Sequence, residues 1–272
     1  MVLNVHLFQL MEMIRWYTYF ATLLLAFAPA LAFAGRSQTW SASSRLTLDQ
    51  GFQKFAKANS VNSFNVSYEI PTNRANTHSL DLSLIHSYAW DEFEDQHPNQ
   101  IESIDMSYGF SHKLNSNDEM IYSSIDFGAP VSERDRISGF QGSLDGTIGY
   151  RNRLGFQSFD FSAVATAYSF KYDTADLAGS LYNKKSALLA RAVYGLHLSK
   201  RFTWGNRIDL NQYVNVAGTT HNEYYLSTGP SFAWTQSLNT FAKVITTDAI
   251  ETYKTPLDER ITSARVGLEW SI

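Results

Sequence analysis

From about residue 40 onward the chain alternates apolar and polar residues one by one, in run after run. In "SFNVSYEI", Phe64, Val66, Tyr68 and Ile70 fall on one side and Ser63, Asn65, Ser67 and Glu69 on the other. In "SLDLSLIHSY", Leu80, Leu82 and Leu84 oppose Ser79, Asp81 and Ser83, and "IDMSYGF", "LDGTIGY", "LLARAVYGLHL" and "RIDLNQYVNV" follow the same rule. The last run, "ITSARVGLEWSI", sets Ala264, Val266, Leu268, Trp270 and Ile272 against Arg265, Gly267, Glu269 and Ser271. Successive side chains of an extended strand point to opposite faces, so a period of two is the signature of a strand. Helical spacing is absent, and the pattern predicts an all-β chain whose sheet has one apolar and one polar face.

About twelve such segments of roughly ten residues can be drawn, at 43–53, 61–70, 78–90, 101–112, 118–128, 142–151, 156–171, 186–198, 203–216, 224–236, 240–250 and 261–272. The links between them alternate in length. "PTNRANT", "KLNSN", "NRLG", "SKRF" and "SLN" are short, whereas "DEFEDQHPNQ", "APVSERDRISGFQ", "YDTADLAGSLYNKK", "AGTTHNE" and "TYKTPLDER" are mostly longer and charged. Short and long links in alternation describe an antiparallel up-and-down meander with tight turns at one end and loops at the other. That is the layout of a transmembrane β-barrel with short periplasmic turns and longer extracellular loops.

Alternation by itself leaves open whether the apolar face lines a dry interior or meets lipid. Three features favour lipid. Twelve strands enclose more space than side chains fill in an eight-stranded barrel. The polar face carries many charges together with small Ser, Thr and Gly residues, which suits a wet lumen. Trp40, Tyr68, Tyr88, Trp90, Tyr150, Trp204, Trp234 and Trp270 stand near segment ends, where aromatic girdles mark the two membrane interfaces. In hydrocarbon the sheet has to close, since an open edge leaves N–H and C=O groups unpaired.

The final eight residues, "RVGLEWSI", place Arg265, Gly267, Trp270 and Ile272 at the positions of the C-terminal β-signal of Gram-negative outer-membrane proteins, which they resemble. Members of that group more often end in Phe, and Ile272 keeps only the apolar character. The resemblance implies an outer-membrane barrel inserted by the barrel-assembly machinery.

The amino-terminal part reads as a targeting segment. "MIRWYTYFATLLLAFAPALAFAG" has a basic start at Arg15, an apolar run from Trp16 to Ala28, and the small-x-small ending Ala32-Phe33-Ala34. A signal peptide over 1–34, cleaved after Ala34, is expected, with a single barrel domain over 35–272. Met13 opens a more typical n-region, which makes 1–12 an upstream extension. The alternative, a membrane anchor, needs a longer apolar run.

Chemistry is sparse. There is no cysteine, which excludes thiol catalysis and disulfides, and a net charge of −4 offers no basic footprint for nucleic acid. His197 and Ser199, with Asn206 and Asn211, have the His-x-Ser spacing of the Ser-His-Asn set in outer-membrane phospholipases, which are similar twelve-stranded barrels. The flanking motif of those enzymes is missing, and both residues lie by a tight turn, so no catalytic residue is assigned. The acidic loop with Asp91, Glu92, Glu94, Asp95 and His97 lacks the register of a calcium loop and reads as solvated chain near lipopolysaccharide. The run from Ser132 to Arg136 reads likewise. No cofactor or metal is expected.

The polar face carries the functional lead. By parity it includes Glu69, Asp81, Asp105, Asp145, Asp160, Arg191, Arg207, Asp209, Lys243, Arg265 and Glu269. Charged rings of this kind set selectivity in pores, while the competing arrangement is a salt-bridged plug. The acid excess points to a path for cations or neutral solutes. A passive channel for small solutes is the leading expectation. The alternatives are a lipid-modifying outer-membrane enzyme and a structural or adhesive barrel. The 129–141 link is a candidate inward-folded constriction.

Overall fold

The computed structural model describes residues 39–51, 58–72, 75–89, 99–115, 118–131, 135, 138–173, 182–249 and 262–271. Twelve antiparallel strands run through them: β1 (Thr39–Gly51), β2 (Ala58–Pro71), β3 (Asn76–Ala89), β4 (Asn99–Lys113), β5 (Met120–Ala129), β6 (Phe140–Leu154), β7 (Gln157–Phe170), β8 (Lys184–His197), β9 (Phe202–Asn215), β10 (Thr220–Ala233), β11 (Leu238–Ala249) and β12 (Thr262–Ser271). Each pairs with its sequence neighbours, and β1 pairs with β12, so the sheet closes into a barrel. Every expected segment has its strand, with ends displaced by a few residues. Most strands run longer than the alternation alone marks, because the ladder continues into polar residues at both rims.

Closure leaves no edge strand, which removes the unpaired backbone groups that hydrocarbon would not tolerate. The apolar residues of the alternation point away from the barrel. In β6, Leu144 and Ile148 are 54% and 62% exposed while Asp145 and Thr147 between them are half-buried. Ile125, Phe127, Phe161, Leu188, Ile208, Leu210, Val266 and Leu268 are likewise exposed, and all belong to the same face by register. Among the described residues no large side chain is fully buried. A water-soluble fold of this size is held by such a core. Here the apolar band is turned outward and needs lipid to cover it.

An aromatic belt rings the tight-turn end of this band. Trp40 stacks on Tyr68 with ring centroids 4.4 Å apart, Phe159 packs on Tyr194, and Phe232 meets Trp234 edge-on. The indole N–H of Trp204 donates to Thr228 Oγ1 at 2.9 Å and that of Trp234 to Thr240 Oγ1 at 3.0 Å, so each ring keeps a polar tip at the level of the headgroups. Tyr150 donates to Glu119 Oε1 at 2.7 Å, and Trp270 is half-exposed on β12. The candidates at the other end, Trp90 and the ring of Tyr88, lie outside the described residues.

The turns follow the expected asymmetry with one exception. At one end the links are four residues (72–75, 198–201 and 234–237), six (114–119), and only Gly155 and Phe156 between β6 and β7, where Gly155 takes φ 60°. At the other end most links are longer, but that between β9 and β10 is only 216–219. The alternation pattern places a link over "AGTTHNE", between the runs at 203–216 and 224–236. Instead Thr220, His221, Asn222 and Glu223 continue the ladder, with His221 stacked on Tyr213 at 5.0 Å. The turn is closed by Gly218 at φ 85° and by Asn215, whose Oδ1 accepts from Thr219 N at 2.8 Å.

Candidate functional site

Directly paired residues of an antiparallel ladder share a face, so the register assigns the described side chains of the barrel wall to one face or the other. The eleven charged residues singled out in the sequence all fall on the face opposite the exposed apolar band, which is the lumen. Glu69 pairs with Thr39 and Ser79, Asp81 with Ser67 and Ser107, and Asp105 with Ser83 and Gly128. Asp145 pairs with Asp126, Asp160 with Arg151, and Arg191 with Asp209. Lys243 pairs with Arg265, and Glu269 with Arg45.

The structure ties several of these groups together. Arg191 Nε donates to Asp209 Oδ1 at 3.1 Å, and Arg207 grips the same carboxylate from the same strand. Arg45 donates to Glu269 Oε2 at 2.9 Å across the β1–β12 seam. Asp160 takes Arg151 at 2.8 Å and the hydroxyl of Tyr122 at 2.5 Å. Tyr122 reaches Asp160 by lying over Gly149, where any β-carbon would strike its ring. Phe241 fills the space over Gly267 in the same way. Alternating small residues and large rings let side chains cross a strand along the inner wall.

The sequence reading passed over further lumen charges, among them Arg45, Asp126, Arg151 and Glu223. A signal existed for Asp126. Ser-x-Asp recurs on five consecutive strands, as Ser79-Leu80-Asp81, Ser103-Ile104-Asp105, Ser124-Ile125-Asp126, Ser143-Leu144-Asp145 and Ser158-Phe159-Asp160. In the first three the serine hydroxyl donates to the carboxylate two residues on, at 3.0, 2.8 and 2.9 Å. Residues two apart share a face, so each serine braces its aspartate inside the lumen while the intervening residue meets lipid.

Nearer the long-loop end, Tyr168, Tyr225, Asn211, Glu223 and Asp209 line a recess of about 280 Å³. The 129–141 link is tied down at its far side. The buried side chain of Asn183 donates to Ser138 O at 3.1 Å and Tyr172 O at 2.9 Å, joining this link to the one between β7 and β8.

The phospholipase-like residues do not converge. His197 faces the lumen, with Nε2 at 3.1 Å from Ser158 Oγ and Nδ1 at 3.0 Å from Thr203 Oγ1. Ser199 is spent on its turn, accepting from the N–H groups of Arg201 and Phe202. Asn206 bonds Thr228 on the outer face, and Asn211 donates to Glu223 inside. Asp91, Glu92, Glu94, Asp95 and His97 lie outside the described residues, as do Ile272, the 1–34 segment, and most of 132–136. Arg265, Gly267 and Trp270 sit on β12, the strand that closes the barrel against β1.

A closed antiparallel twelve-stranded sheet, apolar outside and charged within, defines a transmembrane β-barrel. No family model matches the chain, and no curated protein matches it in sequence. Among solved structures it is similar to the COG4313 outer membrane channel from Pseudomonas putida F1, at 10% identity over 88% of this chain and 96% of that one, with a TM-score of 0.62. It is also similar to the NanC porin (9% identity, 84% and 98% covered, TM-score 0.51) and to Salmonella typhi OmpF in complex with daunomycin (8%, 86% and 97%, 0.50). The shared feature is the outer-membrane β-barrel fold.

Proposed function

We propose that the mature chain is an outer-membrane channel that passes small hydrophilic solutes by diffusion. The observation that carries this reading is the pairing of an outward apolar band with a lumen wall rich in Ser, Thr, Gly and ionised side chains. Ionised groups inside a closed barrel have to be paired or hydrated. A file of water along that wall is a path for solutes. The pore lining consists of Glu69, Asp81, Asp105, Asp145, Asp160, Arg191, Arg207, Asp209, Lys243, Arg265 and Glu269, with Arg45 and Asp126 added from the register.

The remaining features fit that placement. Residues 1–34 serve as the export signal, cut after Ala34. The tight turns face the periplasm, and the longer loops face lipopolysaccharide. Arg265, Gly267, Trp270 and Ile272 serve as the signal read by the assembly machinery. Refolded protein in a planar bilayer is expected to give discrete conductance steps. Their absence, with hydrolysis of phospholipid or lipid A by the same sample, would replace the channel reading with the enzymatic one.

A further inference from the structure

On the outer face of β7 and β8 the apolar band has a hollow. Ala163, Ala190 and Ala192 stand there together, Ala163 paired directly with Ala190 and Ala192 with Phe161. Larger residues rise on both sides, Ile148 and Phe161 on one and Ile208 and Leu210 on the other. All four are half exposed or more, and the hollow measures about 600 Å³. The hydrogen-bonded ladder fixes the spacing of the strands, so the sheet cannot close the gap that alanines leave. Atoms lining an unfilled gap forfeit their dispersion contacts, which favours an apolar occupant.

At one end the hollow meets a polar mouth. Tyr150 lines it, and the Tyr150 hydroxyl donates to Glu119 Oε1 at 2.7 Å. Glu119 also accepts from the side chain of Asn115, and Asn152 Nδ2 donates to the Tyr150 hydroxyl at 2.9 Å. The mouth is short of donors. Asn152 Oδ1 is buried with no hydrogen-bond partner, and Glu119 has no cation at ion-pair distance among the described residues. Lys113, Arg151 and Arg153 fall on the lumen face by register. A strand tilted near 40° climbs about 2.6 Å per residue, which puts Tyr150 about 10 Å and Ile148 about 16 Å from the tight-turn end. The hollow therefore lies within one leaflet. Glu119, in the 114–119 link, stands at the headgroups of that leaflet.

We propose that this groove holds one phospholipid with a primary ammonium headgroup. An acyl chain lies over Ala163, Ala190 and Ala192, and the ammonium meets the Glu119 carboxylate beside the Tyr150 hydroxyl. An anionic headgroup is repelled there. A second copy of the barrel related by a two-fold axis would bring its own Glu119 to the same level, like charge against like. The site needs only the lipid-facing side of the barrel, whether or not the lumen conducts.

Vesicles with equal parts of phosphatidylethanolamine and phosphatidylglycerol, matched in acyl chains, supply the test. Refolded protein is extracted from them in mild detergent and weighed by native mass spectrometry. Native protein is expected to carry one lipid, with phosphatidylethanolamine favoured about fivefold, the upper end for an exposed ion pair. Glu119→Gln removes the charge, and the two lipids are then carried equally. Ala190→Phe fills the hollow and carries neither. Equal retention of both lipids by native protein, a comparison that needs no variant, overturns the inference. So does an Ala190→Phe variant that keeps its lipid, or a lipid-free dimer, which would put a second copy in the groove. Conductance is read separately, so each of these failures leaves the channel reading standing.

Discussion

Placing arginine at Ile148 tests the assignment of the two faces directly. Ile148 is 62% exposed on β6, paired with Ser123 and Ala163, and six positions from Leu154 at the tight-turn end. With a rise of about 3.4 Å per residue and a tilt near 40°, each position climbs about 2.6 Å, which places Ile148 about 16 Å from that end. That is close to the middle of an apolar band about 25 Å tall, where an arginine facing lipid costs about 2–4 kcal/mol. Thr147, the next residue, pairs with Ser124 and Val164 and faces the lumen. An arginine there stays in water beside Asp126 and Asp145, and its effect should lie within about 1 kcal/mol. The adjacent variants should differ by at least about 1 kcal/mol, a factor of about 5 in the folding constant. Urea titration of protein refolded into liposomes, followed by the fluorescence of the outward tryptophans, measures both. If Ile148→Arg unfolds at the same urea concentration as Thr147→Arg, or if native protein stays monomeric without detergent, the apolar face does not meet lipid and the reasoning fails.

Gly267→Ala puts a methyl group where the ring of Phe241 lies and should cost about 1–3 kcal/mol, read from the same titration, with part restored by adding Phe241→Ala. Asn183→Ala removes the donor to the carbonyls of Ser138 and Tyr172 and should loosen that junction by about 1–3 kcal/mol. Limited proteolysis should then cut faster near residues 131–138 while the barrel's urea midpoint stays put, and an unchanged cleavage rate would show that the two links are held by other contacts. Amino-terminal sequencing of protein recovered from the outer-membrane fraction should begin at Gly35, and a chain retaining residues 1–34 would contradict the export signal.

The period-two alternation carries the strands, their antiparallel order and the split into two faces, because each of these depends only on neighbours in sequence. Parity alone was enough to gather Asp81, Asp145, Arg191 and Lys243 onto one face. It failed at "AGTTHNE", where the alternation lapses although the ladder persists, and it passed over Asp126, whose strand is short and whose Ser-x-Asp repeat becomes meaningful only beside four others. Which charges meet was beyond its reach. Arg191 and Arg207 share Asp209, and Tyr122 crosses Gly149 to Asp160, both through register. Local chemistry sets the face of each residue because a strand alternates by geometry. The level and the opposite wall are set by strand tilt and by the pairing of β1 with β12, properties of the closed sheet that no single segment contains.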